Sequence, residues 1–543
     1  MQANSFVIKA NLADVWKKEI YPAEITVIDG RINAIRRIDE QCTKFVLPGF
    51  VDSHVHIESS LLTPVEFARL AVTHGTVATV SDPHEIANVC GMAGVDFMIE
   101  NGKKTPFKFY FGAPSCVPAT SFETAGASLD SDDVKRLLQK TEIKYLSEMM
   151  NFPGVLHKDE EVMKKIKAAH ESGKPVDGHA PGLRGEAARQ YINAGISTDH
   201  ECFTAAEALD KLGFGMKILI REGSAAKNFE ALAELLREHS GEMMLCSDDK
   251  HPDSLLIGHI NQVCARAVAK GIPLFNVLQA ACVNPVLHYK LEVGLLRTGV
   301  PADFIVVNDL KDFDVAQTYI DGNLVAENGK SFISSAPGSA INFFECDPIL
   351  PDELRMRMVD DRSIAVIEAL DGQLITNKLS EQPKVSGGYV VTDADRDLLK
   401  LVVVNRYKKA PVAVSFIKNF GIKQGAIASS VAHDSHNIIA VGVDDTSLAK
   451  AINLVINEKG GLSCVSNDAE KKLPLPVAGL MSLDDGYKVA AAYTELDNMA
   501  KNVLGSTLAS PYMTLSFMAL LVIPHLKLSD KGLFDSDSFS FVQ

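Results

Sequence analysis

The middle of the chain, residues 49–293, alternates short apolar runs with longer amphipathic runs. Eight of the apolar runs have the length and the β-branched character of strands: 49–56, 76–81, 107–112, 144–149, 175–179, 195–200, 215–220 and 242–247. Between them apolar residues recur at helical spacing, as in 159–172, 183–193, 205–212 and 228–239. Strands that alternate with helices form parallel βαβ units, so this region predicts a (β/α)₈ barrel of the TIM type. A doubly wound open sheet is the alternative.

The two flanks of this region have strand-like patterns without helices between them. Asp29-Gly30 and Asp321-Gly322 each separate two apolar runs, which is a strong signal for a β-hairpin. We therefore expect residues 1–47 and 294–345 to form one small, split β-sandwich domain beside a metal-binding barrel at 48–293.

A third region of mixed pattern follows. Strand-like runs at 412–417, 425–432 and 437–443 and helix-like runs at 446–457 and 485–504 predict an α+β domain over residues 346–543. The longest apolar stretch, 513–526, is interrupted by Pro524 and is too short to span a bilayer. It is predicted to be a buried helix.

Composition narrows the class of protein. Hydrophobic residues make up 46% of the 543 residues and charged residues 23%, which is typical of a soluble enzyme. The formal net charge of −15 disfavours nucleic acid or an anionic membrane as a partner. The nine cysteines form no Cys-x-x-Cys pair, and the amino terminus has no secretory pattern. These features predict a cytoplasmic protein with free thiols.

Polar side chains recur at the ends of the predicted barrel strands. His54 and His56 lie two residues apart, and on a strand such side chains point to the same face. Barrel active sites lie at the carboxyl ends of the strands. In chain order, the polar residues at these ends are His54, His56, Asp82, His84, Glu85, Glu148, His179, His200, Arg221 and Asp248.

This set has the composition of a metal centre. Imidazole combined with carboxylate suits Zn, Fe or Mn, and a carboxylate that points into a barrel is costly to bury without a cation. Each histidine alone is more often a turn or core residue, but the whole series in barrel order favours two divalent ions. Glu148 would span both ions and Asp248 would bind one, with ligands His54, His56, Glu148, His179, His200 and Asp248. Such a pair activates a bridging hydroxide as a nucleophile.

The same residues resemble those of the amidohydrolase superfamily over about residues 20–330. Many members carry a carboxylated lysine at the bridging position, whereas here the candidate is Glu148 and Lys144 lies four residues earlier. This departure points away from dihydroorotase-like and hydantoinase-like members. More closely, the chain resembles the microbial adenine deaminases, along segments 54–60, 81–88, 177–182, 198–201, 221–224, 247–249 and 432–437.

The resemblance implies a dinuclear Mn²⁺ or Fe²⁺ site, hydrolysis of adenine to hypoxanthine and ammonia in purine salvage or catabolism, and a homodimer or larger homo-oligomer. In this mechanism the hydroxide attacks C6 of adenine and Asp248 carries a proton to the departing amine. Glu85 or Glu148 protonates N1, and Glu85 is the one expected to be free of the metals. His200 is both a ligand and a catalytic candidate.

Six further assignments concern the substrate. The candidates for substrate binding are His84, Glu85, Arg221, Ser224, Asp434 and His436. For His84 and Glu85 the alternative is an ordinary helix start after Pro83, and for Arg221 and Ser224 it is the stabilisation of a loop. Residues 433–437 are expected to form a loop over the barrel mouth, or else a surface turn.

Two other functions stay open at this point. Another metal-dependent amidohydrolase, such as a cyclic amidase or an amino-sugar deacetylase, would use the same scaffold. A non-catalytic scaffold protein on the same fold is disfavoured, because loss of function normally removes ligands and here every expected ligand position is filled.

Overall fold

The computed structural model describes residues 5–336, 338–358 and 363–542. The chain begins with four strands: β1 (Phe6–Asp14), β2 (Glu19–Ile28), β3 (Arg31–Arg37) and β4 (Phe45–Pro48). β1 pairs antiparallel with β2 and β2 with β3, while β4 lies parallel to β1. Asp29 and Gly30 form the predicted turn between β2 and β3, both with positive φ (51° and 75°), which Gly adopts without strain.

Eight parallel strands follow and confirm the predicted barrel. They are β5 (Phe50–Val55), β6 (Thr76–Ser81), β7 (Lys108–Ala113), β8 (Ile143–Met149), β9 (Val176–Gly178), β10 (Thr198–Asp199), β11 (Lys217–Arg221) and β12 (Met243–Cys246). β5 to β9 form one hydrogen-bonded group and β10 to β12 another. Parallel bridges from Val176 to Ile196 and from Val55 to Asp248 join the two groups on both sides. The ring is therefore closed, which excludes the open sheet.

Helices cover the outside of the barrel and form its connections. They are α1 (Pro64–Ala71), α2 (His84–Gly102), α3 (Ser131–Leu138), α4 (Phe152–Leu156), α5 (Glu160–Glu171), α6 (Gly185–Asn193), α7 (Ala205–Gly213), α8 (Phe229–Leu232), α9 (Leu236–His239), α10 (Pro252–Ile257), α11 (Ile260–Ala269), α12 (Leu274–Leu278) and α13 (Asn284–Tyr289). The helix predicted at 228–239 is interrupted: a 3₁₀ turn at Ala233–Leu235 separates α8 from α9.

The chain then returns to the first sheet. β13 (Phe304–Val307), β14 (Val315–Ile320), β15 (Asn323–Glu327) and β16 (Lys330–Ser331) extend it beyond β4, giving the order β16-β15-β14-β13-β4-β1-β2-β3. The sheet is strongly curved, because the Phe6 ring on β1 stacks on Tyr319 of β14 at 5.3 Å although two strands separate them. It encloses a core of its own that includes Leu12, Ile25 and Phe304. The boundaries proposed at 47, 293 and 345 stay predictions.

The third region combines sheets with helices. Its strands are β17 (Met356–Arg357), β18 (Ile364–Ala369), β19 (Thr376–Glu381), β20 (Lys384–Ser386), β21 (Tyr389–Val391), β22 (Leu399–Val404), β23 (Ala413–Lys418), β24 (Ala426–Ser429), β25 (Ile438–Gly442), β26 (Gly461–Val465), β27 (Glu470–Pro474), β28 (Leu526–Ser529), β29 (Gly532–Asp535) and β30 (Ser540–Phe541). The helices are α14 (Asp445–Asn457), α15 (Gly486–Asn502) and α16 (Pro511–Phe517). The main sheet runs β19-β18-β23-β22-β25-β24-β26-β27.

One helix prediction in this region is wrong in its second half. The apolar stretch 513–526 does not form one helix, because α16 ends at Phe517 and β28 begins at Leu526. Pro524 lies in the connection and cannot donate a backbone hydrogen bond to a continuing helix. None of the helices in the three described ranges combines the length and apolarity that crossing a bilayer requires.

The third region packs on the barrel beside its first strand. Leu62 forms a β-bridge with Ser482, and Arg69 on α1 binds Asp485 at 2.7 Å. The amide of Gly486, at the start of α15, donates to the Glu66 carboxylate at 2.8 Å. These contacts fix the third region against the barrel close to the segment that follows His56.

Candidate metal centre and cavity

The six predicted ligands converge on one buried centre, each at most 5% exposed. His54 lies on β5 and His56 directly follows this strand, and their Nε2 atoms lie 3.1 Å apart. The Oδ1 atom of Asp248 lies 3.6 Å from Nε2 of His54 and 3.3 Å from Nε2 of His56. The His54 ring also stacks on the His200 ring at 4.1 Å. Donor atoms from opposite sides of the barrel thus face one another.

Glu148, at the end of β8, connects the two sides of this centre. Its Oε1 atom lies 3.3 Å from Nε2 of His56. Its Oε2 atom lies 2.7 Å from Nδ1 of His179 and 3.3 Å from Nε2 of His200. One carboxylate therefore faces histidines from three strand ends, which is the arrangement predicted for a residue that spans two ions.

The electrostatics of the cluster suit a cation site. Burial, together with the neighbouring His200 and His56, lowers the pKa of His54 to about 4, so this imidazole is neutral at pH 7 and offers its lone pair. Burial raises the pKa of Glu148, but the facing His179, His200 and His56 together outweigh it and hold that pKa well below the usual value. Nε2 of His179 makes no hydrogen bond within the part of the chain that the structure describes. A buried neutral imidazole at His54, ionised carboxylates and an orphaned nitrogen on His179 are donors of the kind that a divalent metal binds.

The backbone around β12 positions Asp248 against β5. The Asp248 amide donates to the His54 carbonyl at 2.9 Å, and the His56 amide donates to the Asp248 carbonyl at 3.3 Å. Behind this contact, the buried Asp52 carboxylate accepts from the Ser247 amide at 2.9 Å and lies 2.8 Å from Nε2 of His259. The register between the first and last barrel strands therefore brings Asp248 to the two histidines.

Arg221 lies behind Asp248 and is fully enclosed by acidic groups. Its Nη1 atom donates to Oδ2 of Asp248 at 2.7 Å and also to Oε1 of Glu201, while Nη2 donates to Oε2 of Glu201 at 3.0 Å. Burial acts to raise the pKa of Asp248, but Arg221 and the facing histidines together outweigh it and keep that pKa well below its usual value. Arg221 thus occupies one Asp248 oxygen and leaves the other facing the histidines.

A second group of titratable side chains lies beside the first. The pair His84 and Asp82 is held by a contact of 3.0 Å between Nδ1 and Oδ2. Glu85 contacts three imidazoles: Nε2 of His84 at 3.4 Å, Nε2 of His433 at 3.2 Å, and Nε2 of His436. Burial raises the pKa of Glu85, but the three facing imidazoles, with His433 first, together outweigh it and hold that pKa well below the usual value.

The third region closes the cavity above these groups. We call its contribution the roof, defined by the lining residues Leu374, His433, Asp434, Phe517 and Leu520. The barrel contributes the opposite lining, which includes His56, His84, Glu85, Glu148, Met150, His179, His200, Glu201, Arg221, Asp248 and Asp249. The predicted loop at 433–437 therefore does reach the barrel mouth and is not a surface turn.

The structure does not bring every predicted substrate-binding residue to this cavity. Ser224 lies outside the lining: its hydroxyl accepts from the His251 amide at 2.9 Å and lies 3.3 Å from the Ser254 hydroxyl. That hydroxyl serves the loop after β11, the alternative assigned to it. His436 lies behind Glu85 and contacts its carboxylate, while Asp434 lines the cavity and its Oδ2 makes no hydrogen bond to any described residue.

Three residues of the site were not identified as functional from the sequence. Glu201 pairs with Arg221 and lies 3.4 Å from Nε2 of His200. Asp249 accepts from the Ser59 hydroxyl at 2.5 Å and lies 3.3 Å from Nε2 of His433. Each of these two acids directly follows a predicted metal ligand in the sequence, and this position could have identified it as a site residue. His433 lies in the loop that was predicted over the barrel mouth, but its role was not assigned, because its partners Glu85, Asp249 and Ser516 are distant in the sequence.

Comparison with known proteins agrees with this geometry. Residues 45–325 match the amidohydrolase family, and residues 373–540 match the adenine deaminase C-terminal domain. The chain is 55% identical to an adenine deaminase of Sulfurovum sp. (strain NBC37-1), covering 98% of this chain and 99% of the relative. It is 52% identical to an adenine deaminase of Salinibacter ruber (99% and 98%) and 51% identical to one of Methanosarcina acetivorans (98% and 98%).

The two matches together span the barrel and the roof, and the relatives align from end to end. The barrel and the third region that closes it therefore both lie within the part of the chain that aligns with these relatives. The protein belongs to the adenine deaminase family of the amidohydrolases.

Proposed function

We propose that the protein hydrolyses adenine to hypoxanthine and ammonia. The observation that carries the proposal is the buried convergence of four imidazoles and two carboxylates directly beneath a roof from the third region. Membership in the adenine deaminase family supports adenine as the substrate.

Two divalent cations, with Mn²⁺ or Fe²⁺ as the proposed metals, would be held by His54, His56, Glu148, His179, His200 and Asp248. Metals of this kind, when bound, supply a water-derived nucleophile at neutral pH. The chain contributes a dry and rigid ligand set, because all six side chains are buried and held by strand ends.

Asp248 is the proposed proton carrier between water and the leaving amine. Arg221 occupies its Oδ2 at 2.7 Å and keeps it ionised, so Oδ1 is the oxygen that can accept a proton from the attacking water. As the bond between C6 and the amino nitrogen breaks, the same oxygen returns this proton to the amine, which leaves as ammonia.

Glu85 and His433 are proposed to protonate N1 of the purine. The contact of 3.2 Å between Oε1 of Glu85 and Nε2 of His433 lets the pair hold one proton. Burial lowers the pKa of His433, but Glu85 and then Asp249 raise it to about 9, so the imidazole keeps this proton at pH 7. Glu85 passes the proton to N1 while water adds to C6. The remaining proton of that water, released as the C6 carbonyl forms, restores the pair.

The lining residues that take no part in proton transfer bind the purine ring in this proposal. Oδ2 of Asp434 is buried and free of protein partners among the described residues, so it can accept a hydrogen bond from an imidazole-ring N–H of adenine. Nε2 of His84 is likewise without a hydrogen bond there. The apolar side chains of Leu374, Phe517 and Leu520 cover the ring and exclude bulk water.

We further propose a cytoplasmic enzyme of purine salvage or catabolism that works as a homodimer or larger homo-oligomer. The acidic charge and the scattered thiols support the compartment. The domain boundaries 1–47 with 294–345, 48–293 and 346–543 are proposed on the sheet compositions given above.

The test is a direct assay. Purified protein is stripped of metal with a chelator, reloaded with Mn²⁺, and given adenine, while ammonia release and the ultraviolet band of adenine are followed. Turnover of adenine, with none of hydantoin or of an acetylated amino sugar, supports the proposal. If no ammonia is released from adenine, the proposal is overturned. Turnover of hydantoin or of the acetylated amino sugar instead also overturns it.

A further inference from the structure

A lysine is buried behind the roof without an acidic partner. Lys527 on β28 is 0% exposed. Its Nζ atom donates to the carbonyl oxygen of Leu374 at 2.6 Å and to that of Phe517 at 3.0 Å. Within the described ranges it pairs with no carboxylate, and burial alone lowers its pKa to about 7. Burying an amine in this way is unfavourable, so Lys527 is expected to have a role that offsets this cost.

Both carbonyls belong to residues whose side chains line the cavity. Leu374 lies in the connection between β18 and β19, and Phe517 is the last residue of α16. The Phe517 carbonyl also accepts from the amide of Leu520 at 3.3 Å. The three apolar residues that the third region contributes to the lining are thus tied to one ammonium group, although 146 positions separate Leu374 from Leu520.

The contacts around Lys527 extend to His433, a polar residue of the roof. The Phe517 ring stacks on the His433 ring at 4.4 Å, and the neighbouring Ser516 hydroxyl lies 2.6 Å from Nδ1 of His433. Carbonyls at the end of a helix lack partners within it, so Lys527 completes the end of α16. The position of α16 in turn fixes the position of the His433 ring.

We propose that Lys527 is a positioning residue that preorganises the roof for binding of the purine ring. It touches neither the proposed substrate nor any proposed metal ligand; it acts through Leu374, Phe517 and Leu520. If the roof is already ordered before adenine binds, no binding free energy is lost in ordering it. This inference rests on the proposed adenine deaminase function.

The variant that tests it is Lys527→Met, which keeps the length of the side chain and removes the donor. We expect KM for adenine to rise about tenfold or more, with a smaller fall in kcat because α16 also holds the His433 ring, while the metal content stays the same. The matched control is Lys400→Met. Lys400 is another buried lysine of the third region, bonded to the Leu354 carbonyl at 2.9 Å and to Asp445, and neither of these partners lines the cavity.

Both variants lose a buried amine and its hydrogen bonds, but only K527M should change KM. A KM of K527M within twofold of wild type, or an equal rise in K400M, overturns the inference. If the wild-type chain releases no ammonia from adenine, the proposed function fails and this inference with it. Wild-type turnover together with an unchanged KM in K527M overturns the inference alone.

Truncations of the roof keep the inference testable if K527M does not fold. Leu374→Ala and Leu520→Ala remove only apolar side-chain atoms, and each should raise KM with little change in kcat. A normal KM in both means that the roof does not contact the substrate and contradicts the inference. Where K527M does fold, its effect on KM should be smaller in the L374A background than in the wild-type chain, because the two changes act on the same contact.

Discussion

The barrel lining and the roof enclose one cavity, but they are held in place by different means. In the barrel, strand register fixes the ligands: Asp248 meets His54 because β12 lies beside β5. In the roof, side-chain contacts between distant parts of the chain fix the lining residues. For example, Lys527 binds the carbonyls of Leu374 and Phe517. The difference separates two proposed tasks: the barrel lining holds metal and carries the proton to the amine, whereas the roof binds the ring and excludes water, with His433 as the one roof residue that shares in proton transfer.

The largest effect should come from the barrel side. Asp248→Asn keeps the shape of the side chain and a possible oxygen ligand but cannot carry the proton. We expect kcat to fall by roughly 10²–10⁴-fold while most of the bound metal is retained. Steady-state kinetics together with metal analysis of the purified variant checks this. Turnover near the wild-type level would remove Asp248 from the proton transfer.

A substitution in the roof should act on binding instead. Asp434→Asn removes the charge of a buried carboxylate whose Oδ2 is free of protein hydrogen bonds among the described residues. A hydrogen bond to a charged group contributes about 1.5–3 kcal/mol, so kcat/KM should fall by roughly 10- to 100-fold, mainly through KM. The metal content is the control. A variant that lost metal and kcat together would place Asp434 with the barrel ligands.

A smaller effect concerns stability and pH. Glu123 contacts the Thr120 hydroxyl at 3.2 Å, and burial, followed by the charge of Asp434, raises its pKa from 4.5 to about 8. The folded chain therefore holds a proton on Glu123 that the unfolded chain loses above pH 4.5. The stability contributed by this group is present below that pH and is lost as the pH rises towards 8.

Glu123→Gln mimics the protonated form at every pH. Its Tm relative to wild type should rise as the pH increases from 5 to 8.5, by at least about 2 °C, whereas kcat at pH 7 stays close to normal. Calorimetry of both proteins at the two pH values checks this. A difference in Tm that is the same at both pH values would contradict a raised pKa at Glu123.

The contrast between the two linings also explains what could be predicted. The barrel strands and their polar ends follow from local periodicity, so His54, Glu148 and Asp248 were identifiable as a set. The roof depends on contacts such as that between His433 and Asp249, 184 residues apart, which no spacing along the chain reveals. The stretch 513–526 failed as a helix because α16 ends at Phe517 and the chain continues through a connection that contains Pro524 before β28 begins. The Ser224 hydroxyl is bound by His251 and Ser254 from the segment after β12, which is the loop-stabilising alternative given for it from the sequence.

The central claim is that six buried side chains bind two divalent ions, with Glu148 between them. It is tested most directly by titrating the metal-free protein with Mn²⁺ and measuring bound metal and adenine turnover together, for the wild-type chain and for Glu148→Gln. The account predicts two ions per wild-type chain, activity that appears with the second ion, and at most one ion with little activity in E148Q. Full activity with a single ion, or two ions and normal turnover in E148Q, would contradict it.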